Sequence, residues 1–259
     1  GPGISPLECV VNGEVDFCTA WLSQALTLKA DGKPLVNICQ VLQKSSLMLV
    51  ARKNSGILTP EDMNSKRISC WGGDFSIQPK AFFRKNKISA SLILQSASVD
   101  AFLVGACDVT SAMFYNEYHK IIQAGIDEDE LVTFFYSDYG LNFPEDGVYC
   151  SENTLISNPE LSRKMKRAVI AGWAYAFSNQ DETLDKIVEY CRKSHVRTNK
   201  AHQRWMLRAI KTAVIYDVGE DTSGWGILKK DDFWRVATEL KEQGIIEEIP
   251  DYGGFYKGF

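Results

Sequence analysis

The hydrophobic positions of this chain predict short strands and helices that alternate through its middle part. Branched apolar runs predict strands, and apolar residues three and four positions apart predict helices. The predicted strands are 15–18, 35–41, 47–51, 67–71, 91–95, 108–113, 131–136 and 147–150. The predicted helices are 4–11, 21–29, 77–85, 99–105, 118–124, 161–177, 182–192, 201–214 and 231–243, with a further helix start at Thr59-Pro60. Alternation between 67 and 113 implies right-handed crossovers and a mainly parallel sheet, so we expect an α/β fold.

The same layout predicts two lobes. The middle of the chain forms an α/β unit that is entered near Arg52 and left near Gly147, and from Asn158 onward the pattern is helical. We therefore assign 51–147 to lobe 2, and 1–50 together with 148–259 to a discontinuous lobe 1. Two crossings between lobes predict a hinge and an interlobe cleft, and ligands favour clefts between domains.

Composition narrows the class of function. The chain has 259 residues, 45% hydrophobic and 24% charged, with a net charge of −4, as in ordinary globular proteins. A nucleic-acid surface would need clustered Lys and Arg, so we expect no nucleic-acid partner. No apolar run approaches the roughly 18 residues of a membrane-spanning helix. The first residues have neither the basic nor the apolar region of a signal peptide, so a leader was either removed or never present.

Cysteine spacing points away from metal and redox chemistry. The seven cysteines are scattered singly with no CxxC pair, which leaves no zinc or thiol–disulfide motif. Most lie within apolar runs, and an odd number cannot all pair within one chain. We expect mostly buried free thiols rather than a disulfide framework.

The strongest candidate for a binding site follows the strand 108–113. Tyr115, Asn116 and Glu117 stand between this strand and the next helix, at the strand end where open α/β sheets bind ligands. An amide and a carboxylate can hydrogen-bond the edge of a heterocycle, and tyrosine rings add stacking area. The alternative is a capped helix whose polar first turn faces water.

A second candidate is the turn at Trp71-Gly72-Gly73, between a strand and a helix. The glycines let a ligand approach the backbone, and Trp71 can stack on a flat ring; the alternative is a tight turn with Trp71 in the core. Trp21 follows the first strand and would face the site from lobe 1, although it is as compatible with packing. Asn142 lies in the loop that leads back between the lobes.

Catalytic motifs are missing from the sequence. The three histidines, His119, His195 and His202, are far apart with no ligand spacing to a second histidine or cysteine. We interpret His119 as a helix-surface residue and His202 as part of a helix start. No nucleophile elbow or HExxH motif is present, so we expect no catalytic residue, no cofactor and no metal site.

Several short stretches match one family of proteins. They are Gly1-Pro-Gly-Ile-Ser-Pro-Leu7, Asn12-Gly-Glu-Val-Asp-Phe17, Leu47 to Ile57, Trp71-Gly-Gly-Asp-Phe75, Ala112-Met-Phe-Tyr-Asn-Glu-Tyr118, Glu145-Asp-Gly-Val148, Gly172-Trp-Ala-Tyr175 and His202-Gln-Arg-Trp-Met206. Together they resemble the periplasmic solute-binding proteins of ABC transporters, in the group of nitrate/taurine receptors and thiamine-pyrimidine-precursor receptors, the NMT1/THI5-like family.

This resemblance implies a type II periplasmic-binding-protein fold that closes on a small planar heterocycle, such as a thiamine pyrimidine precursor or riboflavin. It implies an extracytoplasmic location and delivery of the ligand to an ABC permease. It places Trp71, Gly72, Tyr115, Asn116 and Glu117 in the ligand site, with Trp21 opposite. The family begins with a strand, a helix and a strand before the Gly-Pro-Gly stretch, and we expect this segment to be missing here.

Two other functions share the fold. The module can serve as the extracytoplasmic sensor of a signalling receptor, such as a histidine kinase, with signalling domains in the same polypeptide. Yeast pyrimidine-precursor synthases also resemble it, but they carry a cysteine-dense motif and an early histidine. Here no cysteines cluster and no histidine precedes His119, so we expect a binding protein rather than an enzyme.

Overall fold

A computed structural model describes residues 4–259 of the chain, so Gly1-Pro2-Gly3 of the matching stretch lie outside the described residues. Its strands are β1 (Phe17–Trp21), β2 (Leu35–Gln40), β3 (Leu47–Arg52), β4 (Arg67–Cys70), β5 (Ser91–Leu94), β6 (Val109–Met113), β7 (Leu131–Phe135) and β8 (Asp146–Ser151). Its helices are α1 (Pro6–Val11), α2 (Leu22–Ala30), α3 (Ile77–Lys85), α4 (Asp100–Leu103), α5 (Glu117–Gln123), α6 (Glu152–Ser157), α7 (Pro159–Ser178), α8 (Gln180–Lys193), α9 (Lys200–Val214), α10 (Lys230–Glu242) and α11 (Tyr252–Phe255).

The chain divides into two compact units. Unit 1 comprises the described part of Gly1–Lys44, Phe143–Asn179 and Lys211–Phe259, and unit 2 comprises Ser45–Asn142 and Gln180–Ile210. Residues 180–210 thus belong with the middle of the chain, whereas the sequence placed them in lobe 1. The assignment of 1–50 with 148–259 and of 51–147 to functional lobes stays a prediction.

Unit 1 contains a three-stranded antiparallel sheet in the order β1-β8-β2. Every residue of β2 is buried, including the polar Asn37 and Gln40. The amide of Gln40 donates to the backbone oxygens of Leu42 and Glu145, both at 3.1 Å, so this buried polar group has partners as burial requires. Apolar side chains from the strands and helices complete the core, among them Leu22, Leu26, Leu35, Ile38, Phe233 and Phe255.

Unit 2 contains a five-stranded sheet in the order β5-β4-β6-β3-β7. β4 pairs with β5 and β6 in parallel, but β3 pairs antiparallel with both β6 and β7. β4, β5, β6 and β7 therefore run in the same direction, as a mainly parallel sheet predicts, and β3 alone runs in the opposite direction. The strand–helix alternation correctly indicates the parallel set β4, β5 and β6, whereas β3 precedes that alternation and enters the sheet in the reverse direction.

The central strand of this sheet determines where the polar residues after it lie. All five residues of β6 are buried, since a strand with neighbours on both edges and cover on both faces excludes water. Its side chains contribute to a core cluster of Met48, Val50, Val99, Phe102, Cys107, Ala112, Tyr118, Ile121, Ile126 and Leu131. β6 and α5 are thereby fixed, and so is the loop that joins them.

Local start signals form as predicted. The Ser5 hydroxyl accepts a hydrogen bond from the backbone N–H of Glu8 at 3.3 Å, and Pro6 opens α1, which satisfies a donor that the first turn leaves unpaired. At Thr59 a capping box forms with Asp62, but the element Pro60–Met63 is a 3₁₀ helix rather than an α-helix. A single short turn without a following apolar stripe does not extend.

The predicted apolar stripe of α7 is only partly buried. Phe177 is buried, but Leu161 is 37% exposed and Trp173 is half-buried. The other buried residues of α7 are the polar Ser162 and Lys166. Trp173 packs beside Phe177, with ring centroids 5.4 Å apart.

Two further expectations concern the thiols and the membrane. All seven cysteines are free, and Cys39, Cys70, Cys107 and Cys150 are buried, which confirms mostly buried thiols. Burial raises the pKa of Cys70 to about 11, a value typical of an unreactive thiol. Across residues 4–259, every helix is too short or too polar to cross a lipid bilayer.

Gly147 supplies a test of the packing in unit 1. A Cβ at this position would lie 2.8 Å from Asn37 Nδ2, 2.9 Å from Gln40 Oε1 and 3.0 Å from the Tyr149 hydroxyl. We predict that Gly147→Ala lowers the free energy of unfolding by about 1 to 3 kcal/mol, because it crowds a buried polar cluster. Urea denaturation measures this change.

The matched control is Gly172→Ala, on helix α7. A Cβ there would meet no atom within 4 Å, and alanine favours a helix by up to about 1 kcal/mol over glycine. We expect this variant to be as stable as the wild type or more so. Equal loss of stability in both variants would contradict the packing described for Gly147.

Candidate functional site

Unit 2 contains a pocket of about 370 Å³ beside the C-terminal ends of β4 and β6. Parallel neighbours end at the same edge of a sheet, so the residues that follow each strand meet there. The lining residues are Trp71, Phe75, Ala97, Met113, Tyr115, Asn116, Glu117 and Lys120. The volume falls within the range of small-molecule sites.

Glu117 is the most deeply placed polar side chain of this pocket, with 6% of its surface exposed. Its Oε2 accepts a hydrogen bond from the backbone N–H of Met113 at 3.1 Å, and its Oε1 accepts one from Asn116 Nδ2 at 2.5 Å. Lys120 Nζ lies 3.8 Å from Oε1. Glu117 therefore does not face water, as it would if it belonged to an exposed polar first turn, which was the alternative interpretation.

Burial raises the pKa of Glu117, and the hydrogen bond from Met113 opposes this shift. Removing a carboxylate from water disfavours its charged form, whereas donors and a nearby ammonium group favour it. The pocket therefore presents a desolvated carboxyl group whose hydrogen bonds to a ligand would face little competition from water.

Two aromatic side chains, Trp71 and Phe75, line the same pocket. Trp71 follows β4, and its indole Nε1 donates to the backbone oxygen of Ser96 at 2.9 Å. Phe75 packs edge-on against it, with centroids 6.0 Å apart and planes at 61°. Gly73 permits the turn between them, since its φ of +60° lies in the left-handed region. Trp71 is thus held in one orientation while it still lines the pocket.

The structure brings together four of the predicted site residues, namely Trp71, Tyr115, Asn116 and Glu117. Gly72 and Gly73 are exposed in the turn after Trp71, and the pocket lining does not include them. Their part in binding stays a prediction.

Two other predicted site residues lie elsewhere. Asn142 is outside the pocket lining, and its Oδ1 accepts a hydrogen bond from the backbone N–H of Ser45 at 2.9 Å. Trp21 is the last residue of β1 in unit 1. Both stay predictions as ligand contacts.

A pair of histidines that the sequence does not reveal contacts Asn116 of the pocket. His119 on α5 and His202 on α9 are 83 residues apart, yet their Nδ1 atoms are 2.8 Å from each other. His202 lies at the start of a helix as predicted, whereas His119, interpreted as a helix-surface residue, is half-buried. A contact between two helices cannot be recognised from the spacing of residues along the sequence. The stacking of Trp205 on His119 could not be predicted for the same reason.

Other parts of the structure offer fewer groups that could bind a ligand or a metal. Arg52, Lys53, Asn54, Asp129 and Glu130 line a second concavity of about 310 Å³, which provides no aromatic surface for stacking. Among residues 4–259, no group of three or more His, Cys, Asp or Glu side chains is placed to hold a metal ion.

Solved structures share this fold. The periplasmic aliphatic sulphonate binding protein SsuA from Escherichia coli superposes with a TM-score of 0.71 at 12% identity, over 96% of this chain and 77% of that protein. The alkanesulfonate-binding protein SsuA from Xanthomonas axonopodis pv. citri, bound to MOPS, gives 0.69 at 13% identity, over 98% and 84%. The chain accordingly has a mixed α/β fold of the periplasmic-binding-protein type, as predicted.

A curated relative is similar in sequence. The riboflavin-binding protein RibY of Chloroflexus aurantiacus is 22% identical over 182 residues, which are 68% of this chain and 51% of that protein. The chain thus spans about half the length of this relative.

A family assignment rests on a longer match. The family described as NMT1/THI5 like matches residues 1–183, a span that contains every residue lining the pocket at Trp71 and Glu117. This match covers more than half of the sequence and confirms the resemblance that the short motifs indicate. The chain belongs to the NMT1/THI5-like family.

Proposed function

We propose that this protein is the solute-binding component of an ABC-type importer and that it captures a small planar heterocycle without altering it chemically. The observation that carries this proposal is the pocket of unit 2, where the aromatic Trp71, the half-buried Asn116 and the buried Glu117 line one concavity. A flat ring can stack on the indole while its edge exchanges hydrogen bonds with the amide and the carboxyl group.

The charge of the pocket favours a neutral or cationic ring over an anion. A sulfonate would bring a negative charge next to Glu117, whose carboxyl group is already desolvated. Lys120 offsets part of this charge at 3.8 Å from Oε1, but it is already paired with Glu117. Like charges at short range in a poorly hydrated site cost more than in water, so the sulfonate preference named for SsuA does not suit this pocket.

Riboflavin and the thiamine pyrimidine precursor are the two ligands we favour. Both are flat and carry adjacent hydrogen-bond donors and acceptors, and RibY is named as a riboflavin-binding protein. In this proposal the protein acts outside the cytoplasm and delivers its ligand to a permease. The closure of two lobes around the ligand, which the family resemblance implies, stays a prediction.

The experiment is a titration of the purified protein with four compounds. Riboflavin is followed by quenching of its fluorescence, and 4-amino-5-hydroxymethyl-2-methylpyrimidine, taurine and MOPS are followed by calorimetry. We expect saturable binding of at least one heterocycle and none of either sulfonate. Binding of a sulfonate alone, or of none of the four, would contradict the proposal.

Glu117→Ala tests the polar half of the site. We predict that the free energy of heterocycle binding weakens by about 1 to 3 kcal/mol, because a buried hydrogen-bonding group is lost. Glu117→Gln keeps the size and one acceptor and should lose less. Calorimetry gives both values, and an affinity unchanged in Glu117→Ala would remove this residue from the site.

Trp71→Ala tests the stacking half. The loss of a stacked ring is expected to weaken binding by about 1 to 3 kcal/mol. Trp234→Ala is the matched control, because Trp234 lies on α10 in unit 1 and is 42% exposed. Fluorescence titration should show normal affinity in the control; equal losses in both variants would argue against stacking on Trp71.

A further inference from the structure

The two histidines behind the pocket form a directed hydrogen-bonded chain that ends at Glu117. His119 and His202 stack with centroids 5.1 Å apart and planes at 20°, and their Nδ1 atoms are 2.8 Å apart. His202 Nε2 is 3.2 Å from Asn116 Oδ1. All of these groups belong to unit 2.

Neighbouring contacts hold the pair in place. His119 also stacks on Trp205, with centroids 4.8 Å apart and planes at 17°. The indole Nε1 of Trp205 donates to the backbone oxygen of Phe114 at 2.9 Å, and the backbone N–H of His202 donates to Asn199 Oδ1 at 2.8 Å. Helix α9 is thus tied to the loop that carries Asn116.

The chemistry of the partners fixes the position of each proton. A carboxylate only accepts, so the Asn116 atom that faces Glu117 is its Nδ2, and its Oδ1 faces His202. An amide oxygen also only accepts, so His202 carries its hydrogen on Nε2. In the neutral ring Nδ1 is then bare, and His119 must donate to it from its own Nδ1.

These hydrogen bonds determine which group of Asn116 remains available to a ligand in the pocket. The Oδ1 of Asn116 is occupied by His202, and one Nδ2 hydrogen is occupied by Glu117. The group that Asn116 retains for a ligand is its second N–H. If the Asn116 amide were flipped, it would offer its oxygen to the ligand as an acceptor. Its N–H would then face His202, which would have to be the tautomer with an unprotonated Nε2.

We propose that His202, held by His119, is a positioning residue that fixes Asn116 as a hydrogen-bond donor to the ligand beside the acceptor Glu117. This inference rests on the proposed function and specifies the ligand class. The ligand must present an acceptor next to a donor, as the lactam edge of a flavin or the amidine edge of an aminopyrimidine does. A ring with two acceptors at that edge would have no donor to offer the Glu117 carboxylate.

The ligand-free protein provides the first test. In wild-type protein with ¹⁵N-labelled histidine, the imidazole nitrogen shifts near pH 7.5 should show His202 protonated on Nε2 and His119 protonated on Nδ1. The reverse tautomers in both rings would overturn the proposal. Since no ligand is needed, this test is independent of the proposed function.

Binding of riboflavin and of 4-amino-5-hydroxymethyl-2-methylpyrimidine provides the second test. His202→Leu should weaken binding of whichever probe binds wild type by about tenfold or more, because Asn116 loses its fixed orientation. His202→Gln retains a side-chain N–H donor and should restore affinity to within about threefold. His195→Asn, at an exposed turn position with φ of 56°, is the control and should bind as wild type does.

Each result separates the possibilities. Wild-type affinity in His202→Leu, or equal losses in the Leu and Gln variants, would reduce His202 to packing and overturn the positioning role. If neither probe binds the wild type, the proposed function fails, and the tautomer spectrum alone decides the arrangement of His202. Circular dichroism of each variant shows whether it is folded.

Stability should also depend on pH through this pair. Burial lowers the pKa of both rings; Glu128 opposes the shift at His119, and His119 and Lys120 add to it at His202. The unfolded chain therefore binds more protons below about pH 6.5, the ordinary pKa of histidine. The contribution is fully present above pH 6.5 and is lost as the pH falls through the lower native values.

The measurement is the urea midpoint of unfolding between pH 7.5 and 5. We expect the wild-type midpoint to fall as the pH drops below about 6.5, and the double variant His119→Gln/His202→Gln to show a smaller fall over the same range. An identical pH profile in the double variant would show that the pair does not titrate as a buried neutral unit. His195→Asn should reproduce the wild-type profile.

Discussion

A carboxyl group taken out of water must find hydrogen-bond donors, and the site of this protein depends on how Glu117 finds them. Its two oxygens accept from the backbone of Met113 and from the amide of Asn116. These bonds join the end of the central strand β6 to the first turn of α5 and fix the loop between them. Because β6 is buried along its whole length, the loop that follows it is held in place by the core. The pocket is thus defined by the sheet rather than by a mobile surface segment.

The same fold accommodates different ligands because specificity lies in the side chains at the strand ends. SsuA is named for sulfonates, whereas this chain places a buried carboxyl group and an indole in one pocket. In the proposed function, stacking tolerates many flat rings, and a carboxyl acceptor beside an amide donor selects among them by the hydrogen-bonding pattern at their edge. Under this proposal a ligand must be flat and must also carry matching hydrogen-bonding groups at its edge, and the second requirement is the more selective.

Local signals in the sequence were sufficient for most elements. The bounds predicted for Ile77–Lys85 are those of α3, because its apolar spacing is unambiguous. Four of the residues singled out after β4 and β6 line one pocket. Nonlocal features were not accessible. The direction of β3 depends on its partners β6 and β7. The contact of His119 with His202 depends on how α9 packs, which no motif encodes. Phe75 and Lys120 also line the pocket, and they do so only because of the direction in which the backbone next to them turns.

A crystal structure of the protein bound to riboflavin, or to the hydroxymethylpyrimidine if that is the compound that binds, tests the central claim most directly. We predict a ring packed on Trp71, with its edge within hydrogen-bond distance of Asn116 Nδ2 and of the Glu117 carboxyl group. A ligand bound away from this pocket, or one that meets Asn116 through its oxygen, would contradict the account.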